Sequence, residues 1–195
     1  RRQNMIKKIR GVTISVSVYF AALLTFLFAL FPGGYAPLGL LCCVLHETGH
    51  LIFIKLCGGK IKAINFGVYG MRITPAANLN LSPLKEAAVC FGGPLVNLIL
   101  FSLSFLAESR AFAAINLAMA LFNLLPIEST DGGNILYNIL MYKTGEEKAK
   151  AALKIMSAVF LFFVYVLGFI ILFKTKYNFT LLIVAVYLTA RFLHS

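Results

Sequence analysis

The chain has 195 residues and a formal net charge of +11; 60% of it is hydrophobic and only 13% charged. Soluble domains carry roughly a quarter charged residues, so water is excluded as the main solvent and a lipid bilayer is the expected partner. The basic residues lie between apolar stretches instead of forming one basic and aromatic surface, which excludes nucleic acid as a partner.

In chain order, a basic segment over residues 1–10 precedes an apolar run over 12–31. That run is longer than the roughly 7–15 residues of a signal-peptide h-region and has no small-residue cleavage site near its end, so it predicts a first membrane span. A second span covers 36–56 and contains His46-Glu47-Thr48-Gly49-His50. Residues 60–75 then change character. Ile64, Phe66 and Val68 alternate, Gly67 and Gly70 punctuate, and 71–73 can return as a strand, which reads as a small hairpin near the cytoplasmic face.

Ser82 and Pro83 open a third span over 84–107, as N-cap and first helical residue. The fourth span, 111–141, is broken by Pro126-Ile127-Glu128-Ser129-Thr130-Asp131-Gly132-Gly133. Irregular backbone at membrane depth survives where protein or a water-filled cavity satisfies its polar groups, so the break predicts a cavity. Spans at 155–173 and 179–193 complete the chain. The expected fold is an all-α membrane protein of about six transmembrane helices, with a broken fourth helix and a small membrane-associated β-hairpin. It is one domain over 1–195, with a catalytic core over about 12–141 and a C-terminal helical pair over about 146–194. With a cytoplasmic N-terminus, 15 of the 18 Lys and Arg residues fall inside, which predicts a multi-pass cell-membrane protein with its active-site side cytoplasmic.

His46 and His50 are four residues apart, so on a helix both imidazoles project from one face and can share a cation. Glu47 points to the adjacent side, within reach of a water on the metal without ligating the metal itself. Three ionisable residues within five positions of a span are functional candidates. The third histidine, His194, reads as an interfacial residue.

A tetrahedral zinc with two histidines needs a further protein ligand plus water, and the chain has a single aspartate, Asp131. His46 and Asp131 each lie ten residues before the end of their spans, at Leu56 and Met141, which puts both roughly 15 Å below the cytoplasmic boundary if helical. Asp131 also suits an N-cap for a helix starting near Gly132, which does not preclude ligation. Two imidazoles and a carboxylate with an open position suit one Zn2+ per chain. The ion lowers the pKa of its water towards about 7 and polarises a peptide carbonyl, while Glu47 takes the water's proton and passes it to the leaving amine. A site within the bilayer suits a locally unwound transmembrane or membrane-associated protein segment as substrate.

These residues resemble the site-2 proteases, polytopic zinc endopeptidases that cut within the membrane. Besides the pentad, Gly92-Gly93-Pro94-Leu95-Val96-Asn97 looks like that family's glycine-proline-asparagine motif. Asn123-Leu124-Leu125-Pro126 followed by Asp131-Gly132-Gly133 looks like its second ligand motif. The resemblance implies Asp131 as third ligand, and Asn97 beside the active site binding substrate backbone or stabilising the oxyanion. It also implies that the hairpin presents substrate in extended form, and that a membrane regulatory protein is a further partner. The compact layout is closest to the branch that processes sporulation sigma factors. Where many relatives have proline and leucine, this chain has Ser129 and Thr130, and Glu128 nearby is a rival ligand ranked below Asp131. Two other classes compete: a divalent-metal transporter, which has no need of Glu47 beside the ligands, and a catalytically silent substrate-binding relative. The four cysteines, Cys42, Cys43, Cys57 and Cys90, have neither knuckle spacing nor disulfide density and read as buried apolar thiols.

Overall fold

A computed structural model of the protein describes residues 4–9, 11–30, 33–67, 70–75 and 81–193. His194, Arg1, Arg2, Arg10 and Val68 lie outside the described residues. Eleven elements follow in order: β1 (Asn4–Ile9), β2 (Val12–Ser17), α1 (Val18–Leu30), α2 (Tyr35–Leu56), β3 (Ile61–Gly67), β4 (Gly70–Pro75), α3 (Pro83–Leu106), α4 (Arg110–Asn123), α5 (Asp131–Thr144), α6 (Glu146–Thr175) and α7 (Thr180–Leu193).

The expectation of an all-α fold with one hairpin is corrected by a four-stranded sheet in the order β1-β2-β3-β4. The additional pair comes from the N-terminus, where β1 and β2 run antiparallel from Asn4↔Ser17 to Ile9↔Val12. Its residues explain it. Val12, Ile14 and Val16 alternate with Thr13, Ser15 and Ser17, a period of two in β-branched residues that suits a strand. Gly11 turns the chain at φ +84°, a left-handed conformation that glycine adopts without steric cost. The apolar run over 12–31 is therefore strand first and helix second, and α1 has 13 residues.

Strand β2 pairs parallel with β3, Thr13↔Ala63 to Val16↔Phe66, so α1 and α2 form the crossover between them. Ser15 Oγ donates to Asn65 Oδ1 at 2.5 Å, and the Phe20 and Phe66 rings lie 5.6 Å apart, tying α1 to the sheet. The expected hairpin is present as antiparallel β3 and β4, from Ile61↔Pro75 to Gly67↔Gly70.

Among the described helices, α2, α3 and α6 are long and apolar enough to cross a membrane, with 22, 24 and 30 residues. The expected broken fourth helix is two helices, α4 and α5, of 14 residues each, and α7 is also 14 residues long. Large apolar side chains face outward, among them Leu106 on α3 and Phe162, Phe163 and Phe173 on α6. Such a surface has no stable counterpart in water and suits lipid. Of the cysteines, Cys42 is buried while Cys43 is exposed on the outer face of α2, so the expectation of four buried thiols holds for part of the set.

Helices α2 and α3 cross almost backbone to backbone. A Cβ at Gly49 would sit 2.9 Å from Val96 Cγ2, and one at Gly92 would sit 2.7 Å from the Gly49 carbonyl oxygen, so glycine at both positions permits the approach. The loop over 124–130 is anchored from the other side. Ile127 is buried against Leu161 of α6 and Leu188 of α7, and Ser157 Oγ of α6 accepts from the Glu128 backbone N–H at 2.9 Å. The C-terminal pair therefore packs into the same core as the preceding helices.

Candidate metal centre

Both histidines of α2 face α3 and α5. His46 Nε2 lies 3.1 Å from His50 Nε2, and Asp131 Oδ2 lies 3.0 Å from the first and 3.3 Å from the second. Donors held at about 2.0–2.2 Å by a tetrahedral ion are themselves separated by roughly 3.3 Å, so the triangle has the size a zinc site requires.

The far sides of the rings settle what those nitrogens carry. His50 Nδ1 lies 2.8 Å from the Val89 carbonyl oxygen, which can only accept, so Nδ1 is the protonated nitrogen. His46 Nδ1 lies 2.5 Å from Asn97 Oδ1. The Asn97 Nδ2 donates to Asn116 Oδ1 at 2.8 Å, and Asn116 Nδ2 donates to the Phe112 carbonyl at 2.9 Å. With both Nδ1 atoms protonated, both neutral rings aim Nε2 lone pairs at each other and at a carboxylate. Three acceptors at 3.0–3.3 Å repel unless a proton or a metal cation lies among them. The donor set thus fits a metal ion.

Local structure delivers Asp131. Thr130 is the N-cap of α5, its Oγ1 accepting from Gly133 N–H at 3.3 Å and reaching the carbonyls of Leu125 and Ile127. The N-cap role weighed for Asp131 belongs to Thr130, and the aspartate is left as the first helical residue with its carboxylate free for the cluster. At Gly132 a Cβ would sit 2.6 Å from the Leu125 carbonyl oxygen, so the helix start fits beneath the loop only with glycine there. At Ser82 the backbone is extended and Pro83 is the first helical residue as expected, but the serine side chain makes no cap bond.

Glu47 is half-buried and lines a cavity of about 610 Å³ together with His46, His50 and Asp131. Ile54, Ile73, Phe122 and Leu188 give it apolar walls, and Asn134, Asn138 and Arg191 polar ones. Strand β4 thereby reaches the site through Ile73.

Asn97, expected to contact substrate or the oxyanion, lies beside His46. It is 0% exposed, and its amide oxygen and nitrogen are engaged by His46 and Asn116. Its side chain is the neighbour of one of the three candidate donors. Glu128 stands outside the metal-capable group of described residues, which comprises His46, His50 and Asp131. Sequence reasoning missed Asn116, the Thr130 cap and the cavity wall from α7. An amide in the apolar run of α4 was the available signal for Asn116.

Fold and centre define the class first: a predominantly helical, lipid-facing protein with a buried two-histidine, one-carboxylate donor cluster and a carboxylic acid beside it. Residues 108–167 match Peptidase family M50, a segment that includes Asp131 but not the pentad. Over 116 residues the chain is 33% identical to a protein of Synechocystis sp. whose name assigns it to the zinc metalloproteases, covering 53% of this chain and 30% of that one. Over 119 residues it is 29% identical to Stage IV sporulation protein FB of Bacillus subtilis, covering 56% of this chain and 41% of that one. The matches thus span well under half the length of these relatives. Among solved structures, the Site-2 Protease from Methanocaldococcus jannaschii superposes with a TM-score of 0.67 at 22% identity, over 95% of this chain and 91% of that one. Part of the chain is thus similar to peptidase family M50, and its fold is similar to that of a site-2 protease.

Proposed function

We propose that the protein is an intramembrane zinc endopeptidase that hydrolyses peptide bonds of transmembrane or membrane-associated substrates. The observation that carries this is the convergence of His46 Nε2, His50 Nε2 and Asp131 Oδ2 within 3.3 Å, with Glu47 on the same cavity. His46, His50 and Asp131 would hold one zinc ion, which when bound acidifies a water and polarises a peptide carbonyl. Glu47, adjacent to a ligand but outside the donor triangle, takes a proton from the attacking water and delivers it to the leaving amine. The apolar walls limit bulk water, and Ile73 brings the β3 and β4 hairpin to the cavity, where an extended substrate can add to the sheet edge.

In the proposed topology, α4 and α5 together make one interrupted span and α1 and α7 complete a six-span bundle. At 1.5 Å per residue, 14 residues cover about 21 Å, less than the hydrocarbon core of about 30 Å, so each short helix needs its neighbours. The distribution of Lys and Arg supports a cytoplasmic N-terminus and site, in a cell membrane. The likeness to a protein named for sporulation is in line with a pro-sigma factor as a specific substrate, and a membrane regulatory protein is a further proposed partner.

The test is to purify the full chain in detergent, measure zinc per chain, and compare wild type with Glu47→Gln on a membrane-segment peptide. The expected result is one zinc in both and cleavage reduced about 10²–10⁴-fold in the variant. Unchanged cleavage would remove Glu47 from its role, and zinc flux into proteoliposomes without cleavage would favour the transporter.

A further inference from the structure

We infer that Asn116 of α4 is a positioning residue for the metal centre, setting the proton on His46 through Asn97 and so keeping the donor nitrogen open. This rests on the metal assignment of His46, His50 and Asp131 proposed above.

An asparagine amide is nearly symmetric in shape, and which end faces a neighbour is decided by hydrogen bonding. Asn97 Oδ1 faces His46 Nδ1 at 2.5 Å only as long as its Nδ2 has an acceptor on the other side. Asn116 Oδ1 is that acceptor at 2.8 Å. Asn116 is oriented in turn because its Nδ2 spends its donor on the Phe112 carbonyl at 2.9 Å, a group that can only accept. The direction of every link follows from one backbone carbonyl of α4. Both asparagines are fully buried, so water does not compete for these bonds. The buried Cys42 thiol also lies against Asn116, but a thiol can both donate and accept and so does not orient the amide.

Without the anchor, Asn97 can rotate and offer Nδ2–H to His46 Nδ1. The imidazole proton then sits on Nε2, where it donates to Asp131 Oδ2 at the observed 3.0 Å spacing. The metal-free site would thereby relax into a hydrogen-bonded pair with one ligand blocked. Asn116 denies the site that relaxation, so its three donors stay assembled for a cation.

The test measures zinc affinity by chelator competition, and the absorption spectrum of the Co2+-loaded protein, in wild type, Asn116→Leu, Asn97→Asp and the double variant. Removing an outer partner of this kind typically costs 10–100-fold in metal affinity, so Asn116→Leu is expected to bind zinc about 10–100-fold more weakly. An aspartate at 97 accepts from His46 through either oxygen and needs no anchor. Its other oxygen would face Asn116 Oδ1, acceptor against acceptor, so the double variant should bind zinc no more than about 3-fold more weakly than Asn97→Asp, or more tightly. If Leu prevents folding, Asn116→Ala takes its place in the same cycle. Wild-type affinity in the Asn116 variant, or an equal loss in both backgrounds, would overturn the relay and make Asn116 a packing residue. Failure of wild type to bind zinc would instead overturn the metal assignment itself.

Discussion

Thr130 caps helix α5 so that Asp131, the next residue, turns its carboxylate to His46 and His50: Thr130 Oγ1 accepts from Gly133 N–H at 3.3 Å, and Asp131 Oδ2 lies 3.0 Å from His46 Nε2. Thr130→Val removes the hydroxyl at nearly constant volume. Losing such a cap costs about 1 kcal/mol, up to about 2, and Thr130→Ser should restore it. Thermal unfolding in detergent checks the stability change, and zinc titration should show weaker binding in Thr130→Val but not in Thr130→Ser.

Asp131 and Glu128 are three residues apart, yet only the aspartate joins the donor triangle, while Glu128 Oε2 is buried without a hydrogen-bond partner among the described residues. Asp131→Ala is expected to lower zinc affinity by at least about 10-fold, as loss of even an outer partner does. Glu128→Ala should leave it unchanged. Equilibrium zinc binding of the two variants ranks them, and the reverse order would reassign the third ligand.

Gly93 lies under the imidazoles, where a Cβ would sit 2.6 Å from His46 Nε2 and 2.7 Å from its Cε1. Gly93→Ala should displace the ring and abolish zinc binding while the helices stay folded. Gly168→Ala is the control: its Cβ would meet Leu182 Cδ2 at 2.7 Å, the end of a flexible side chain that can move. Circular dichroism and zinc content together separate the two outcomes.

Zinc should stabilise the fold by mass action. At a free concentration 100 times the dissociation constant the gain is about 2.7 kcal/mol, provided the unfolded chain does not bind. The expected upward shift in unfolding temperature should vanish in His50→Ala, which removes one of the three donors. A shift that persists in that variant would place the stabilising ion elsewhere.

The site was more legible than the fold around it because its signals are local. His46 and His50 meet by helical spacing alone, and Asp131-Gly132-Gly133 needs glycine where the loop folds over it. The helices marked by long uninterrupted hydrophobicity, α2, α3 and α6, were legible for the same reason. The β1 and β2 hairpin was hidden because a run judged by total hydrophobicity conceals the two-residue alternation of 12–17. The Asn97 to Asn116 bond was hidden differently. It joins residues 19 apart on separate helices, and only the packing of α3 on α4 makes them neighbours.

The packing of Ile127 against Leu161 and Leu188 also has a meaning in time. A ribosome releases the pentad long before it releases α6 and α7, the helices against which the aspartate-bearing loop is seated. A nascent chain therefore holds two histidines with no firmly placed carboxylate to join them. The fold therefore withholds the complete donor set until the helices that follow it in the chain have been made and packed.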